Sequence, residues 1–213
     1  MRVGQRSTGG RRADLPLWMM ATGPRSARQP SPIGLRLTAD AYLSLGETAD
    51  RCELIDGVVI GLPGPPAQHG DAVAELIYQL KAFARLQMPG ARVLAETDLR
   101  LADTLVYRPD VMVFASTGQP ARAAARLQSP PDLLIEVLSP SSMQLDLVTK
   151  RDDYGRFGVR EYWVVDPADG AVRCFRLEAG VLQETAAGGD RLASAAVAGL
   201  VLDLTALRTA LGR

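Results

Sequence analysis

The segment PDLLIEVLSP, residues 131–140, is a nearly continuous apolar run bounded by two prolines. Such a run is typical of a β-strand that is buried on both faces of a sheet. Glu136 lies in the middle of it, where a carboxylate loses its hydration and needs a cation, a metal ion or several hydrogen-bond donors. Two other interpretations stay open: Glu136 reaches solvent at a strand end, or it forms a structural ion pair with an arginine.

A helix is predicted directly after this strand, from a cap at Ser141 or Ser142 to Phe157. Its apolar stripe has spacings of three and four residues and consists of Met143, Leu147, Lys150, Tyr154 and Phe157. Lys150 therefore falls on the face that packs on the sheet. It is one of only two lysines in an arginine-rich chain, and its compact charge suits a position beside a reacting phosphate. Alternatively, Lys150 extends to solvent at the edge of the stripe or pairs with Asp146 one turn earlier.

A second acidic residue, Asp110, precedes another apolar run. Arg108-Pro109-Asp110 lies before residues 111–114, within a strand predicted over 106–115. If this strand neighbours the one that carries Glu136, two carboxylates meet at one place. They repel each other unless a divalent cation lies between them, and hard oxygen ligands favour Mg²⁺. Taken alone, Pro-Asp is also a common turn sequence.

The remaining pattern predicts an α/β or α+β fold, in which a mixed sheet is flanked by helices. The predicted elements are a short helix over 39–45, a hairpin over 51–60 with its turn at Asp56-Gly57, a long helix over 67–87, strands over 92–101, 161–166 and 172–177, weaker strands within 181–202, and a last helix over 203–211.

Charge and hydropathy exclude two classes of protein. The 213 residues carry no net charge, so binding of nucleic acid by bulk positive charge is excluded. No apolar stretch is long enough for a membrane-spanning helix. Residues 1–30 carry a net charge of +5 and the remainder −5. We therefore expect a basic, disordered extension over residues 1–35 and one folded domain over 36–213.

Two further polar residues are candidates for the same site. Glu53 is an acid within a β-like run, and by itself it would be a solvent-facing strand residue. His69, the only histidine, stands at the start of the long predicted helix, where a capping or core role is the ordinary interpretation.

Taken in order, these motifs resemble the Uma-type restriction endonuclease family of the PD-(D/E)XK nuclease superfamily. The resemblance spans about residues 36–210. It rests on Glu53-Leu-Ile-Asp-Gly57, His69, Arg108-Pro-Asp110, the segment 131–140, Asp146, Lys150, Tyr154 and Gly158-Val-Arg-Glu-Tyr-Trp-Val-Val-Asp-Pro167.

The resemblance implies a restriction-endonuclease-like sheet and hydrolysis of DNA phosphodiester bonds with Mg²⁺ or Mn²⁺. It implies Asp110 and Glu136 as catalytic metal ligands, with Glu53 as a further catalytic acid that would hold a second metal ion or its water shell. The usual lysine position after Glu136 holds Leu138, so Lys150 would be the displaced catalytic lysine. His69, Tyr154 and Asp146 would line the cleft, and Arg100, Arg108, Arg151 and Arg156 are candidates for phosphate contacts.

Three functions remain open at this point. The first is an active DNA endonuclease, a homodimer if both strands are cut, in the cytoplasm and without membrane contact. The second is a catalytically silent nuclease fold that binds DNA or regulates another protein. The third is a metal-dependent hydrolase with a substrate other than duplex DNA.

Overall fold

The apolar run that contains Glu136 forms the strand β7, Leu133–Val137, inside a six-stranded sheet. A computed structural model describes residues 30–46, 50–115 and 127–213. All five residues of β7 are buried. The sequence-based prediction of a strand covered on both faces is therefore confirmed.

Two larger sheets and a strand pair make up the β-structure of the described residues. The six-stranded sheet consists, in spatial order, of β10 Val181–Thr185, β9 Ala171–Glu178, β8 Glu161–Asp166, β7, β6 Val111–Phe114 and β3 Arg92–Ala95. The four-stranded sheet consists of β2 Val58–Gly61, β1 Cys52–Ile55, β5 Leu105–Tyr107 and β4 Leu99–Ala102. The pair is β11 Arg191–Ala193 with β12 Val201–Asp203.

In the described part of the chain, four α-helices accompany these strands: α1 Ala39–Leu43, α2 Ala67–Leu86, α3 Arg151–Arg156 and α4 Leu204–Ala210. A π-helical turn, Leu145–Lys150, leads directly into α3. The predicted α+β class, a mixed sheet flanked by helices, is confirmed.

The six-stranded sheet separates two apolar cores because side chains alternate along each strand. From β7, Leu133, Ile135 and Val137 pack with α2 and α4. Leu134 and Leu138 face the other core, which includes Tyr154 of α3. Glu136 therefore faces the core that α3 covers.

The connection from β7 to β8 brings α3 to this face. The two strands are parallel, whereas every other strand pair in the described sheets is antiparallel. Parallel neighbours require a crossover connection, and here the π-helical turn and α3 provide it. The crossover places Lys150 and Tyr154 above the strand that carries Glu136.

Two predicted strands are each divided in the structure. The strand predicted over 92–101 breaks between β3 and β4, where Glu96 has a positive φ of 49°. The strand predicted over 106–115 breaks between β5 and β6, because Pro109 lacks the N–H that a continuous ladder needs. At both breaks the chain passes from one sheet to the other, and Asp110 lies at the second.

Other predicted boundaries hold to within a few residues. The turn at Asp56-Gly57 has φ values of 49° and 75°, as a tight hairpin turn requires, and the long helix ends one residue earlier than predicted. Residues 1–29 of the predicted extension lie outside the described residues, so the division at residue 35 stays a prediction; Pro32–Arg213 form one compact unit. No helix in the described part of the chain is long and apolar enough to cross a membrane.

Glu161, at the start of β8, joins the sheet to the loop before β12. Its Oε1 accepts a hydrogen bond from the Trp163 indole at 3.0 Å. Its Oε2 accepts from the Ser194 hydroxyl at 2.5 Å and from the N–H groups of Ala195 and Ala196, both at 3.0 Å. One buried carboxylate thus satisfies four donors.

We expect Glu161→Gln to lower the free energy of unfolding by about 2–3 kcal/mol, because an amide nitrogen cannot accept from these donors. Urea unfolding measures the change. The control is Glu178→Gln at the exposed end of β9, which should unfold like the wild type. An unchanged midpoint for Glu161→Gln would show that this carboxylate does not hold the loop.

Candidate active site

Asp110 and Glu136 lie directly opposite each other at the end of β6 and β7. The register pairs Val111 with Ile135, so the next pair along the strands is Asp110 with Glu136. The Asp110 N–H donates to Glu136 Oε2 at 3.1 Å, and the Val137 N–H donates to Asp110 Oδ2 at 2.8 Å. The predicted meeting of two carboxylates on neighbouring strands is therefore present.

Lys150 places its ammonium among three carboxylates. Its Nζ lies 3.0 Å from Glu136 Oε1, 3.1 Å from Glu53 Oε1 and 3.4 Å from Asp146 Oδ1. The pair with Asp146, considered above as an alternative for Lys150, is thus present, and both residues are buried. Glu53 Oε1 also accepts from the Arg108 N–H at 2.8 Å, which ties β1 to the break that carries Asp110.

His69 and Tyr154 support the two opposed acids from different helices. His69, in the first turn of α2, has Nε2 3.1 Å from Asp110 Oδ2. Tyr154 of α3 donates its hydroxyl to Glu136 Oε1 at 2.8 Å. Burial, together with the charge of Glu136, raises the pKa of the Tyr154 phenol well above its ordinary value, so it remains a donor.

An aromatic group fixes the crossover helix against the sheet. Tyr154 makes edge-to-face contacts with Tyr107 and Tyr162, at centroid distances of 5.5 Å and 5.3 Å. Tyr162 donates its hydroxyl to the Asp146 carbonyl of the π-helical turn at 3.1 Å. Lys150 Nζ lies 5.3 Å from the Tyr107 ring centroid. The ammonium is therefore held by packing as well as by charge.

Four buried acids meet at this site, and three of them surround the Lys150 ammonium. We call Glu53, Asp110, Glu136 and Asp146 the acid cluster; each is at most 5% exposed, and Lys150 is 4% exposed. Burial raises the pKa of Glu136 well above its usual value, and the neighbouring acids raise it further against the opposing effect of Lys150. Burial likewise raises the pKa of Asp146.

Burial and the neighbouring carboxylates have opposite effects on the pKa of the Lys150 ammonium. Desolvation by itself lowers the pKa of Lys150, but the carboxylates of Glu136, Glu53 and Asp146 outweigh it, so the pKa lies well above its ordinary value. Lys150 is therefore an ammonium at neutral pH. Glu53, Glu136 and Asp146 share this one ammonium, whereas Asp110 contacts His69 and lies 3.9 Å from the Arg51 guanidinium.

A cleft of about 70 Å³ opens onto the cluster. Asp110, Glu136, Asp146 and Lys150 lie in its walls, together with His69. The cleft thus gives solvent and small ligands a route to both opposed carboxylates.

Two of the predicted site residues lie behind the cleft. Tyr154 was expected to line it, but its ring is fully buried in the core beneath Glu136, so this part of the prediction is wrong. Glu53 is also fully buried and meets Lys150 from the core. Tyr154 is therefore placed to orient Glu136, and Glu53 is placed to orient Lys150.

Of the four arginines considered for phosphate contacts, Arg108 lies in the cleft wall. The other three are engaged with nearby side chains: Arg100 with Asp40 and Asp103, Arg151 with Asp152, and Arg156 with Asp153.

The sequence-based interpretation missed Arg51, which also lies in the cleft wall. It lies two residues before Glu53, and residues separated by two share a face of an extended chain. The two-residue spacing from Glu53 could therefore have indicated that Arg51 lies on the same side of the chain as the site.

A hard divalent cation fits the chemistry of these donors. Glu53 Oε2 is buried and has no hydrogen-bond partner in the described part of the chain, and the other candidates are carboxylate oxygens. Within residues 30–46, 50–115 and 127–213, no three His, Cys, Asp or Glu side chains form a ready coordination shell. Mg²⁺ does not require one, since it is commonly held by one or two carboxylates with water and substrate phosphate. Asp110 and Glu136 are the pair at the cleft that could hold it.

Comparisons with known proteins identify the family and a similar fold. A family model described as "Uma2: Putative restriction endonuclease" matches residues 39–205. The fold is similar to the crystal structure of "a putative nuclease belonging to DUF820" from Anabaena variabilis, with a TM-score of 0.70 and 24% sequence identity. That match covers 82% of this chain and 99% of the other. No significant match was found among curated proteins.

We expect Lys150→Met to lower the free energy of unfolding by about 3–5 kcal/mol near neutral pH, because the acid cluster loses its counter-ion. Carboxyls with a raised folded-state pKa favour folding at low pH, and this contribution is lost as the pH rises through that pKa. The deficit should therefore shrink as the pH falls toward about 5.

Urea unfolding at several pH values measures this deficit. Lys81→Met removes the other lysine, which is exposed on α2, and should change stability little at any pH. A Lys150→Met deficit that stays constant with pH would contradict the charge account.

Proposed function

The chain belongs to the Uma2 family, described as "Putative restriction endonuclease", and from that premise we propose that it is a metal-dependent DNA endonuclease that uses the acid cluster and Lys150. The observation that carries this proposal is that the opposed carboxylates of Asp110 and Glu136 and the Lys150 ammonium lie together in the wall of one cleft. Two opposed buried carboxylates are costly in a protein that only needs to fold, and a divalent cation would offset their charge.

We propose Asp110 and Glu136 as the ligands of Mg²⁺ or Mn²⁺. When bound, the metal supplies positive charge to the scissile phosphate and makes nearby water more acidic. His69 would orient Asp110 and Tyr154 would orient Glu136, since each contacts one of these carboxylates. These contacts hold the ligands in position before substrate arrives.

Lys150 would act as a cation and hydrogen-bond donor. Its pKa lies above the ordinary value, so at neutral pH the Nζ has no lone pair with which to accept a proton from water. Orienting water and stabilising charge on the phosphate are therefore favoured for Lys150 over deprotonating the water. Glu53 and Asp146 would hold the ammonium at this point.

We propose that duplex DNA is the substrate. Cleavage of both strands would need two such sites, which is the basis for proposing a homodimer. The silent DNA-binding alternative keeps the same fold, so a cleavage assay with matched variants separates the two.

With Mg²⁺ or Mn²⁺, the purified protein should nick or cut supercoiled plasmid. Asp110→Asn, Glu136→Gln and Lys150→Met should each lower the rate by about 100-fold or more, because each removes charge at the reacting phosphate. Gel electrophoresis of the plasmid measures the rate, and circular dichroism establishes that each variant is folded.

Lys81→Met is the matched control and should cut at the wild-type rate. Equal cutting by wild type and Glu136→Gln would point to a contaminating nuclease. DNA binding without cleavage under all metal conditions would support the silent alternative.

A further inference from the structure

Two arginines in the cleft wall have no role in the mechanism proposed above. Arg51 lies two residues before Glu53, and Arg108 lies two residues before Asp110. Their side chains are 26% and 29% exposed, respectively. Each arginine is therefore close in the chain to one member of the acid cluster, yet is partly open to solvent.

Both arginines are held by acids of one short segment, Glu96–Asp98, which joins β3 to β4. Arg51 Nη2 donates to both carboxylate oxygens of Glu96 at 2.6 Å. Arg108 Nε donates to Asp98 Oδ1 at 2.8 Å. The two guanidinium groups are thus oriented together.

The segment itself has an unusual backbone conformation. Glu96 has a φ of 49°, in the left-handed region that residues other than glycine seldom adopt. Its N–H donates to the Pro109 carbonyl at 3.2 Å, which joins the segment to the break that carries Arg108 and Asp110. Strained positions of this kind concentrate at functional sites.

Arg51 has donor capacity left over after these contacts. Its Nε is buried and has no hydrogen-bond partner in the part of the chain that the structure describes. Arg51 also forms an ion pair with Asp110 of the acid cluster. The distance from Nη2 to Asp110 Oδ1 is 3.9 Å, which is too long for a hydrogen bond. A guanidinium with an unpaired N–H donor is suited to an anion such as phosphate.

We propose that Arg51 and Arg108 form a phosphate-binding pair, oriented by Glu96 and Asp98, that receives a backbone phosphate next to the acid cluster. The inference rests on the proposed function for the identity of the substrate as DNA. The acid cluster repels a phosphodiester, and a fixed pair of guanidinium groups at the same cleft offsets that repulsion.

Binding is best measured in the full-length Glu136→Gln protein, so that cleavage does not interfere. Fluorescence anisotropy with a short labelled DNA duplex is recorded over a range of KCl concentrations. Adding Arg51→Gln should weaken binding by about tenfold and reduce the slope of log K against log salt by about 0.9, the value for one phosphate contact. Arg108→Gln should act in the same direction.

Arg173→Gln is the matched control. Arg173 makes a comparable pair with both carboxylate oxygens of Glu184, on β9 and β10, outside the cleft wall. Its loss should leave DNA affinity and salt slope unchanged. Equal effects of Arg51→Gln and Arg173→Gln would overturn the proposal, because bulk charge would then explain both.

The variant Glu96→Gln tests whether Glu96 affects DNA binding by orienting Arg51 or only through its own negative charge. The two possibilities change DNA affinity in opposite directions. If Glu96 orients Arg51, the variant should bind DNA several-fold more weakly, although it removes a negative charge. Tighter binding would mean that Glu96 acts only through its charge, and the oriented pair would be wrong.

The outcome also separates this inference from the proposed function. If wild type cuts DNA while Arg51→Gln and Arg108→Gln bind like their parent, the endonuclease proposal stands and the arginine pair is wrong. If both arginine variants lose affinity while wild type cuts nothing, the phosphate site stands and the activity is wrong. A parent protein that does not bind the duplex even at low salt overturns the phosphate site.

Discussion

One ammonium, that of Lys150, lies among buried carboxylates, and the arrangement of the site follows from this imbalance of charge. Three of the four acids lie within 3.4 Å of its Nζ, and the fourth, Asp110, faces Glu136 across the strand pair. Desolvated charges of one sign are costly unless each is compensated. Backbone N–H groups, His69, Tyr154 and the more distant Arg51 guanidinium compensate these charges in part, and a divalent cation would compensate them further.

The fold brings these charges together through three separate connections. The parallel crossover places Lys150 and Tyr154 over β7. Pro109 separates β5 from β6, so that Asp110 stands directly before the first residue of β6. The strand β1 contributes Glu53 from the four-stranded sheet. Glu53 and Glu136 lie within their strands, Asp110 directly precedes β6, and Asp146 lies in the π-helical turn. The site is thus built where the two sheets and the crossover meet.

Much of this arrangement could be predicted from local sequence. The apolar run around Glu136 predicted a central strand, and the stripe of three- and four-residue spacings put Lys150 on the sheet-facing side, because both patterns reflect burial directly. The division of two predicted strands between sheets could not be predicted, since apolar runs do not report which sheet they join. The π-helical turn and the contact of Arg51 with Glu96, 45 residues apart, depend on tertiary packing that one sequence does not encode locally.

The most direct test of the central claim is whether the acid cluster takes up a divalent cation. Thermal unfolding of wild type with Mg²⁺ or Mn²⁺, compared with EDTA, reports binding because a ligand of the folded state alone raises the melting temperature. The account predicts a rise that grows with metal concentration in wild type and is lost in Glu136→Gln and Asp110→Asn. No rise in wild type, or the same rise in all three proteins, would contradict it.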